Sequence, residues 1–425
     1  MNKQNYQDKF QQSIQNTFFN KLIKEEQLFL EEKFTHFRFS HQEIKQLIDI
    51  SIDFHMWGKG TLKQHWQEQN HQNKPPKQKK QALLNEIKLI HNEYQNEAND
   101  YHELPNQKIK APKIKLIHEE KKDLGFGLCP VASPKTRCCN LLTLDAVESC
   151  GFDCSYCSIQ SFYNDGKITF DTSLKNKLDN IKLNPDEFYH IGTGQASDSL
   201  MWGNRFQVLD HLVEFAKNNP NVMLEFKTKS DNVSYFLEKD DLPKNLLFTW
   251  SLNPQTIIDH EEHLTSSLQE RINAAKKIAD KGYLVGFHFH PIIYFKGYQE
   301  EYGKIFKQLI DTFNPKNVAL ISFGTLTFIK PVIKKIRQRD FHTKILQMPM
   351  QNAAGKLSYP LKIKKEMFKF AYDSFEPWRK DVFFYLCMED HSLWSDVFGY
   401  EYPTNETFEM DMKLHYISKI RSIQK

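Results

Sequence analysis

Cysteine is scarce in this chain: there are seven in 425 residues, an odd number. A scaffold stapled by disulfides needs dense, paired thiols, so that class is excluded. Long apolar runs are missing as well. No stretch approaches the ~20 residues of a membrane span. The opening MNKQNYQDKFQQ lacks the apolar segment of a secretory signal. Free thiols without an export signal predict a cytoplasmic protein with no membrane partner. No internal repeat divides the chain. An excess of charge of one sign is nearly absent too: 57 Lys and Arg face 53 Asp and Glu, a net +4. That total does not by itself imply a polyanionic partner.

Hydrophobic residues make up 40% of the chain and aromatic residues 13%. This is enough for one large α/β domain plus an accessory region. Three cysteines fall in Cys150-Gly-Phe-Asp-Cys-Ser-Tyr-Cys157, just after a strand-like stretch at 141–147. A C-x3-C-x2-C loop offers three thiolates, which suit three irons of a [4Fe–4S] cluster and leave the fourth iron open to a small molecule. A structural zinc site built from this triplet with Cys129, Cys138 and Cys139 is the rival, although its pairing is irregular. Buried inert thiols are the third reading.

The first 110 residues read as helical, polar and basic. Phe10, Ile14, Phe18, Phe19, Leu22 and Ile23 keep helical spacing. Ser40-His-Gln-Glu43 has capping-box form and opens a helix over 40–57. A polar loop is predicted over 66–80 and a third helix over 81–100. Lysines concentrate in Lys74-Pro-Pro-Lys-Gln-Lys-Lys80 and again over 108–122. Such a strip suits polyanion contact or simple solvation. The set His55, Trp57, Lys59, Lys63 and Trp66 either stacks on nucleic acid or buries its tryptophans in a helical bundle.

From 141 onward the rhythm alternates between strand and helix. Strands are predicted at 141–147, 188–191, 222–226, 246–251, 284–289 and 318–322, with helices such as 206–217, 268–281 and 302–312 between them. Ordered βα units imply a parallel sheet with right-handed crossovers. Six units fall short of a closed eight-stranded barrel. The expected fold is α/β: a partial (β/α)6 barrel over 111–340, a helical N-terminal extension over 1–110, and an irregular C-terminal cover over 341–425. Its active site belongs at the carboxyl ends of the strands, where the cysteine loop lies. His288 and His290 alternate on one face of the fifth strand, with Phe287 and Phe289 on the other. The histidines either meet substrate or cofactor, or hydrogen-bond within a polar barrel interior.

Several motifs occur in one order: Cys154-Ser-Tyr-Cys-Ser-Ile-Gln160, Ile191-Gly-Thr-Gly-Gln-Ala-Ser-Asp-Ser199, Phe226-Lys-Thr-Lys-Ser230, Trp250-Ser-Leu-Asn-Pro254, Gly286-Phe-His-Phe-His-Pro-Ile-Ile293, Ser322-Phe-Gly-Thr325 and Tyr385-Leu-Cys-Met388. With the cysteine loop, this set resembles the radical S-adenosylmethionine enzymes, and within them the spore photoproduct lyase family. The resemblance implies a [4Fe–4S] cluster on Cys150, Cys154 and Cys157, and S-adenosylmethionine as the second cofactor. It implies cleavage of that cofactor to a 5′-deoxyadenosyl radical, which takes hydrogen from a pyrimidine lesion in DNA. DNA is then a partner, and a flavodoxin or ferredoxin the electron donor. By the same resemblance Gly192, Thr193, Gly194, Gln195, Ser197, Lys229 and Ser251 contact the cofactor. Tyr156, Gln195 and Asp198 fall at catalytic positions, and His288 and His290 at substrate-binding ones.

Two positions depart from the family pattern. Gln195 stands where the lyases place a hydrogen-donating cysteine, and Ser158 where they place a tyrosine after the third cluster cysteine. Tyr156 is kept, as radical relay or as packing for the loop. Cys387 sits in an apolar, strand-like setting. The alternatives are a radical enzyme acting on a non-DNA substrate, and a non-catalytic metal-containing nucleic-acid-binding protein.

Overall fold

The computed structural model describes residues 3–105, 107, 109–111, 113–129, 135–161, 166–353 and 355–424. Lys108 and Pro112 of the second basic strip lie outside the described residues. The chain forms two compact units, 1–109 with 328–350, and 110–327 with 351–425.

The first unit is helical, with helices at Lys3–Ile14, Lys24–Phe37, His41–Met56 and Pro76–Asn96. The capping box forms as its residues predict: Ser40 accepts from the Glu43 backbone and Glu43 from the Ser40 backbone. The apolar spacing over 10–23 does not make one helix. Asn16 takes a positive φ of 62°, a conformation asparagine tolerates, and only a short 3-10 turn follows at Phe19–Lys21. The predicted loop over 66–80 is likewise shorter, because Pro76 pre-sets the first helical turn. Trp57 and Trp66 are buried. Trp66 sits among Phe29, Phe37 and Phe39 at centroid distances of 5.8, 5.9 and 6.3 Å, so both tryptophans serve the bundle. Lys79 and Lys80 are paired with Glu68 and Glu43, each at 3.0 Å, while Lys74 and Lys77 are exposed.

The second unit is built on one eight-stranded sheet: β1 (Gly125–Leu128), β2 (Leu142–Asp145), β3 (Tyr189–Thr193), β4 (Val222–Thr228), β5 (Leu246–Ser251), β6 (Leu284–Ile292), β7 (Val318–Thr325) and β8 (Phe383–Leu386). Spatial order follows chain order from β1 to β8. β1 pairs antiparallel with β2, and every other neighbouring pair is parallel. All six predicted strands are present, and β1 and β8 extend the sheet at its two edges. Parallel strands are covered on both faces and read as nearly continuous apolar runs. Accordingly every residue of β5 and β7 is buried. The amphipathic helix Val208–Asn218 buries Val208, Leu209, Leu212, Val213, Phe215 and Ala216. The two-residue period of a strand puts Phe226, Phe248, Phe287 and Phe289 on one face. Glu225, Thr249, His288 and Ser322 occupy the other and are also buried.

Candidate active site

The cysteine loop follows β2 at the carboxyl end of the sheet. A two-residue strand, Asp153–Cys154, pairs antiparallel with Glu262–His263, setting Cys154 opposite Glu262. The Ser155 backbone donates to the Glu261 carbonyl at 2.8 Å, and its hydroxyl donates to the Glu261 carboxylate. Tyr156 donates its phenol to Glu262. Glu262 also accepts from Asn253 at 2.7 Å and pairs with Arg271 at 2.7 Å, both side chains being fully buried. Arg271 also donates to the Ser251 and Ser266 carbonyls at 2.8 and 2.9 Å and to the Thr265 hydroxyl at 2.6 Å. Against the upward push of burial, Arg271 and then Lys229 draw the Glu262 carboxyl down to about 2. This carboxylate is the anchor of the whole loop.

A second brace comes from the segment after β3. Asp198 accepts from the backbones of Leu200, Met201 and Lys229 at 3.0, 2.9 and 2.7 Å, and from the Thr228 hydroxyl at 2.7 Å. This carboxylate, expected at a catalytic position, ties the segment to the end of β4. Met201 and Trp202 are thereby laid against Gly151. A Cβ there would collide with the Met201 methyl and stand 2.8 Å from the Trp202 ring, so glycine inside the cysteine loop lets the two segments close on each other.

The three thiols fit an iron–sulfur cluster in their chemistry. They lie within electrostatic reach of one another. Burial, then Asp198 and Cys157, pushes the Cys150 thiol up to about 12, and burial lifts Cys154 well above its ordinary value. A cluster bound there would displace these protons. Among the described residues no three His, Cys, Asp or Glu side chains stand close enough to hold a single ion. A cuboidal cluster holds its thiolates farther apart than one ion does.

The predicted cofactor residues share this end of the sheet. Gly192 pairs across to Thr143 and Glu225. Thr193 hydrogen-bonds Ser199 at 2.7 Å and donates to the Glu225 carbonyl at 3.0 Å. Gln195 is half-buried, and the next backbone N–H, that of Ala196, donates to Asp145 at 3.2 Å. Ser197 is buried and accepts from the Trp202 indole at 3.4 Å. Lys229 places its ammonium 3.9 Å from Glu262 and 5.8 Å from the Tyr156 ring centre.

Gly194 has a φ of +91°, and a Cβ there would stand 2.7 Å from the Lys227 carbonyl. At Gly192 the nearest obstacle is the Leu141 side chain, at 3.2 Å. Gly194→Ala should therefore weaken S-adenosylmethionine binding by roughly tenfold or more, since the strained backbone must move. Gly192→Ala should do less, because a leucine side chain can give way. Equilibrium dialysis on the reconstituted variants compares them; equal affinities would remove Gly194 from the cofactor site.

The two histidines separate. His288 spends both ring nitrogens in the interior, on Glu225 at 2.7 Å and Ser322 at 2.5 Å. Glu225 also accepts from Thr249 at 2.6 Å and bonds His190 at 2.8 Å. Burial and then Lys227 drive His288 down to about 4. Burial pushes the Glu225 carboxyl up, but hydrogen bonds from His190 and His288 hold it well below the usual range. With both nitrogens engaged, His288 belongs to a neutral-imidazole, ionised-carboxylate knot, the hydrogen-bonded interior that is the second of its two sequence readings. His290 lies one layer higher, its imidazole against Gly324, where a Cβ would stand 2.6 Å from the nearest ring atom. It lines a cavity of about 220 Å³ together with Thr325, Lys364, Cys387 and Glu389.

Glu225, Asn253, Glu262 and Arg271 were not singled out by sequence. The signal for Glu225 is visible afterwards: a lone carboxylate inside the apolar run Val222-Met-Leu-Glu-Phe226 demands a buried partner.

The family model for spore photoproduct lyase matches residues 144–371. A spore photoproduct lyase from Geobacillus sp. is 31% identical over 146 residues, 32% of this chain and 42% of that protein. The enzyme of the same name from Clostridium acetobutylicum is 25% identical over 255 residues, 57% of this chain and 70% of that protein. The match thus spans about two-fifths of the first relative's length. A solved spore photoproduct lyase variant with bound AdoMet and dinucleoside spore photoproduct superposes with a TM-score of 0.54 at 21% identity, covering 66% of this chain and 88% of that one. At that identity the likeness establishes the fold.

Proposed function

The chain belongs to the spore photoproduct lyase family, and from that premise we propose that it is a radical S-adenosylmethionine lyase that repairs a pyrimidine lesion in DNA. The observation that carries the proposal is the cysteine loop braced from two sides at the carboxyl end of the sheet. When bound, a [4Fe–4S] cluster and S-adenosylmethionine supply a 5′-deoxyadenosyl radical, with the electron coming from a flavodoxin- or ferredoxin-type donor.

Cys150, Cys154 and Cys157 would hold the cluster. The segment from Gly192 to Ser197, with Lys229 and Ser251, would hold the cofactor. Tyr156, fixed by Glu262, cannot swing away from the loop. The Glu225 knot fills the interior beneath the site with buried, mutually bonded side chains, which leaves little room for water beside a reactive radical. A lesion in duplex DNA must be flipped out to reach a barrel mouth, at a cost of roughly a few kcal/mol that damage lowers. Among the described residues no helix is long and apolar enough to cross a membrane, which suits the proposed cytoplasmic setting.

The test is anaerobic. Protein reconstituted with iron and sulfide is reduced with dithionite and given S-adenosylmethionine, with dinucleoside spore photoproduct, undamaged DNA or no addition. Formation of 5′-deoxyadenosine with conversion of the photoproduct to thymines is the expected result. The cofactor product without conversion would move the substrate outside DNA repair. No cofactor product from a protein carrying a full cluster would refute the radical chemistry.

A further inference from the structure

A second group of thiols lies away from the cluster loop. Cys129 follows β1, Cys138 and Cys139 precede β2, and Cys387 follows β8. β1 and β8 are opposite edges of the sheet, yet Cys387 is within electrostatic reach of Cys129, Cys138 and Cys139. The sheet therefore curls until its edges approach, and these thiols mark the seam. None is in a disulfide. Cys138 and Cys139 hydrogen-bond each other through their side chains.

Cys387 is distinguished by its place. It lines the mouth cavity beside His290, with its backbone N–H donating to the Phe323 carbonyl at 2.7 Å. The cavity wall is rigid there. Lys364 and Glu389, both buried, pair at 2.6 Å, and Glu389 accepts from the Thr325 backbone and hydroxyl at 2.8 and 2.7 Å. Among the described residues that line this cavity Cys387 carries the one thiol, held on fixed backbone at the carboxyl ends of β6, β7 and β8.

The next step rests on the radical-lyase reading. An enzyme that opens by taking one hydrogen atom from its substrate and ends with closed-shell products must return one. An S–H bond is weaker than a C–H bond, so a thiol touching a carbon radical hands over its hydrogen. We infer that Cys387 is the catalytic hydrogen-atom donor to the product radical. One S–H bond breaks and one C–H bond forms; the unpaired electron stays on the Cys387 sulfur, and no electron enters or leaves. Cys139 lies within electrostatic reach, and hydrogen exchange between a thiyl and a thiol that meets it is close to thermoneutral. Burial pushes Cys387 up to about 12, and the Cys138 hydrogen bond with burial lifts Cys139 well above its ordinary value. Both sulfurs therefore carry hydrogen at neutral pH, as donation requires.

The test is turnover of dinucleoside spore photoproduct in deuterated water. Thiol hydrogens exchange with solvent, so the intact enzyme should place solvent deuterium in the product thymine. Cys387→Ser, whose O–H bond is too strong to give up, should lower thymine yield by roughly tenfold or more. It should also lose the label, while 5′-deoxyadenosine still forms and photoproduct-derived adducts appear. Cys387→Ala should behave alike, which separates the missing S–H bond from any effect of a buried hydroxyl. Wild-type yield and label in both variants would overturn the inference. Absence of 5′-deoxyadenosine from the intact enzyme would refute the radical-lyase reading itself, and this inference would fall with it.

Discussion

Cys154→Ala should give a protein that folds but, after anaerobic reconstitution, lacks the brown absorbance of the cluster and forms no 5′-deoxyadenosine above background. Cys154 is the middle cysteine of the three, buried and fixed in register against Glu262. Two remaining thiols on one short loop hold a cluster poorly. The other cysteines gather at the seam of the sheet, on different segments, and offer no replacement on this loop. The fold should suffer little, because alanine keeps the backbone pairing of this two-residue strand and loses a single sulfur. Iron and sulfide analysis with visible spectroscopy decides the matter. A full cluster in the variant would refute the ligand assignment, whatever its activity.

Arg271→Met is expected to have the largest effect on stability. It leaves the Glu262 carboxylate buried with its main counter-charge gone. Breaking a buried ion pair from one side costs about 3–5 kcal/mol, and thermal unfolding of the cluster-free protein should fall by roughly 5 °C or more. Three links to the cysteine loop weaken together: the Ser251 carbonyl loses its donor, Glu262 loses its position, and Tyr156 loses a fixed acceptor. Cluster occupancy should fall with stability. Glu262→Gln on the Arg271→Met background should recover part of the loss, because a neutral amide no longer needs a cation. A single-variant cost under about 1 kcal/mol would mean that the pair contributes little to holding the loop.

The sheet was legible from sequence for a physical reason. β2 to β7 are covered on both faces, so each is an apolar run bounded by polar connections. β1 was not legible, since Gly125-Phe-Gly-Leu128 carries two glycines in four residues and suggests a turn as readily as a strand. β8 showed as an apolar fragment without evidence of its partner, because pairing with β7 spans a long, helix-containing insertion. The cysteine loop was legible from spacing alone. Its anchor was not: Asp153–Cys154 and Glu262–His263 are two-residue strands over a hundred positions apart, and no local pattern announces such a pairing. The alternation of His288 and His290 was read correctly as one face of a strand. Depth along that strand was invisible, and depth is what makes one histidine part of a buried knot and the other part of a cavity wall.

A sheet whose spatial order equals its chain order has consequences for how the protein is made. Each strand from β2 onward can dock on the one completed before it, so most of the sheet grows through contacts between chain neighbours, the kind that form fast. During synthesis the growing edge is always the newest strand, exposed until its successor emerges from the ribosome. That exposure is longest for β7, whose eight residues are all buried in the finished protein. Some sixty residues separate it from β8, counting from Thr325 to Phe383. A nascent chain stalled in that interval carries an open, apolar edge, which is the template for aggregation. Chaperone dependence should therefore peak late in translation, and truncations that remove β8 should be insoluble rather than merely inactive.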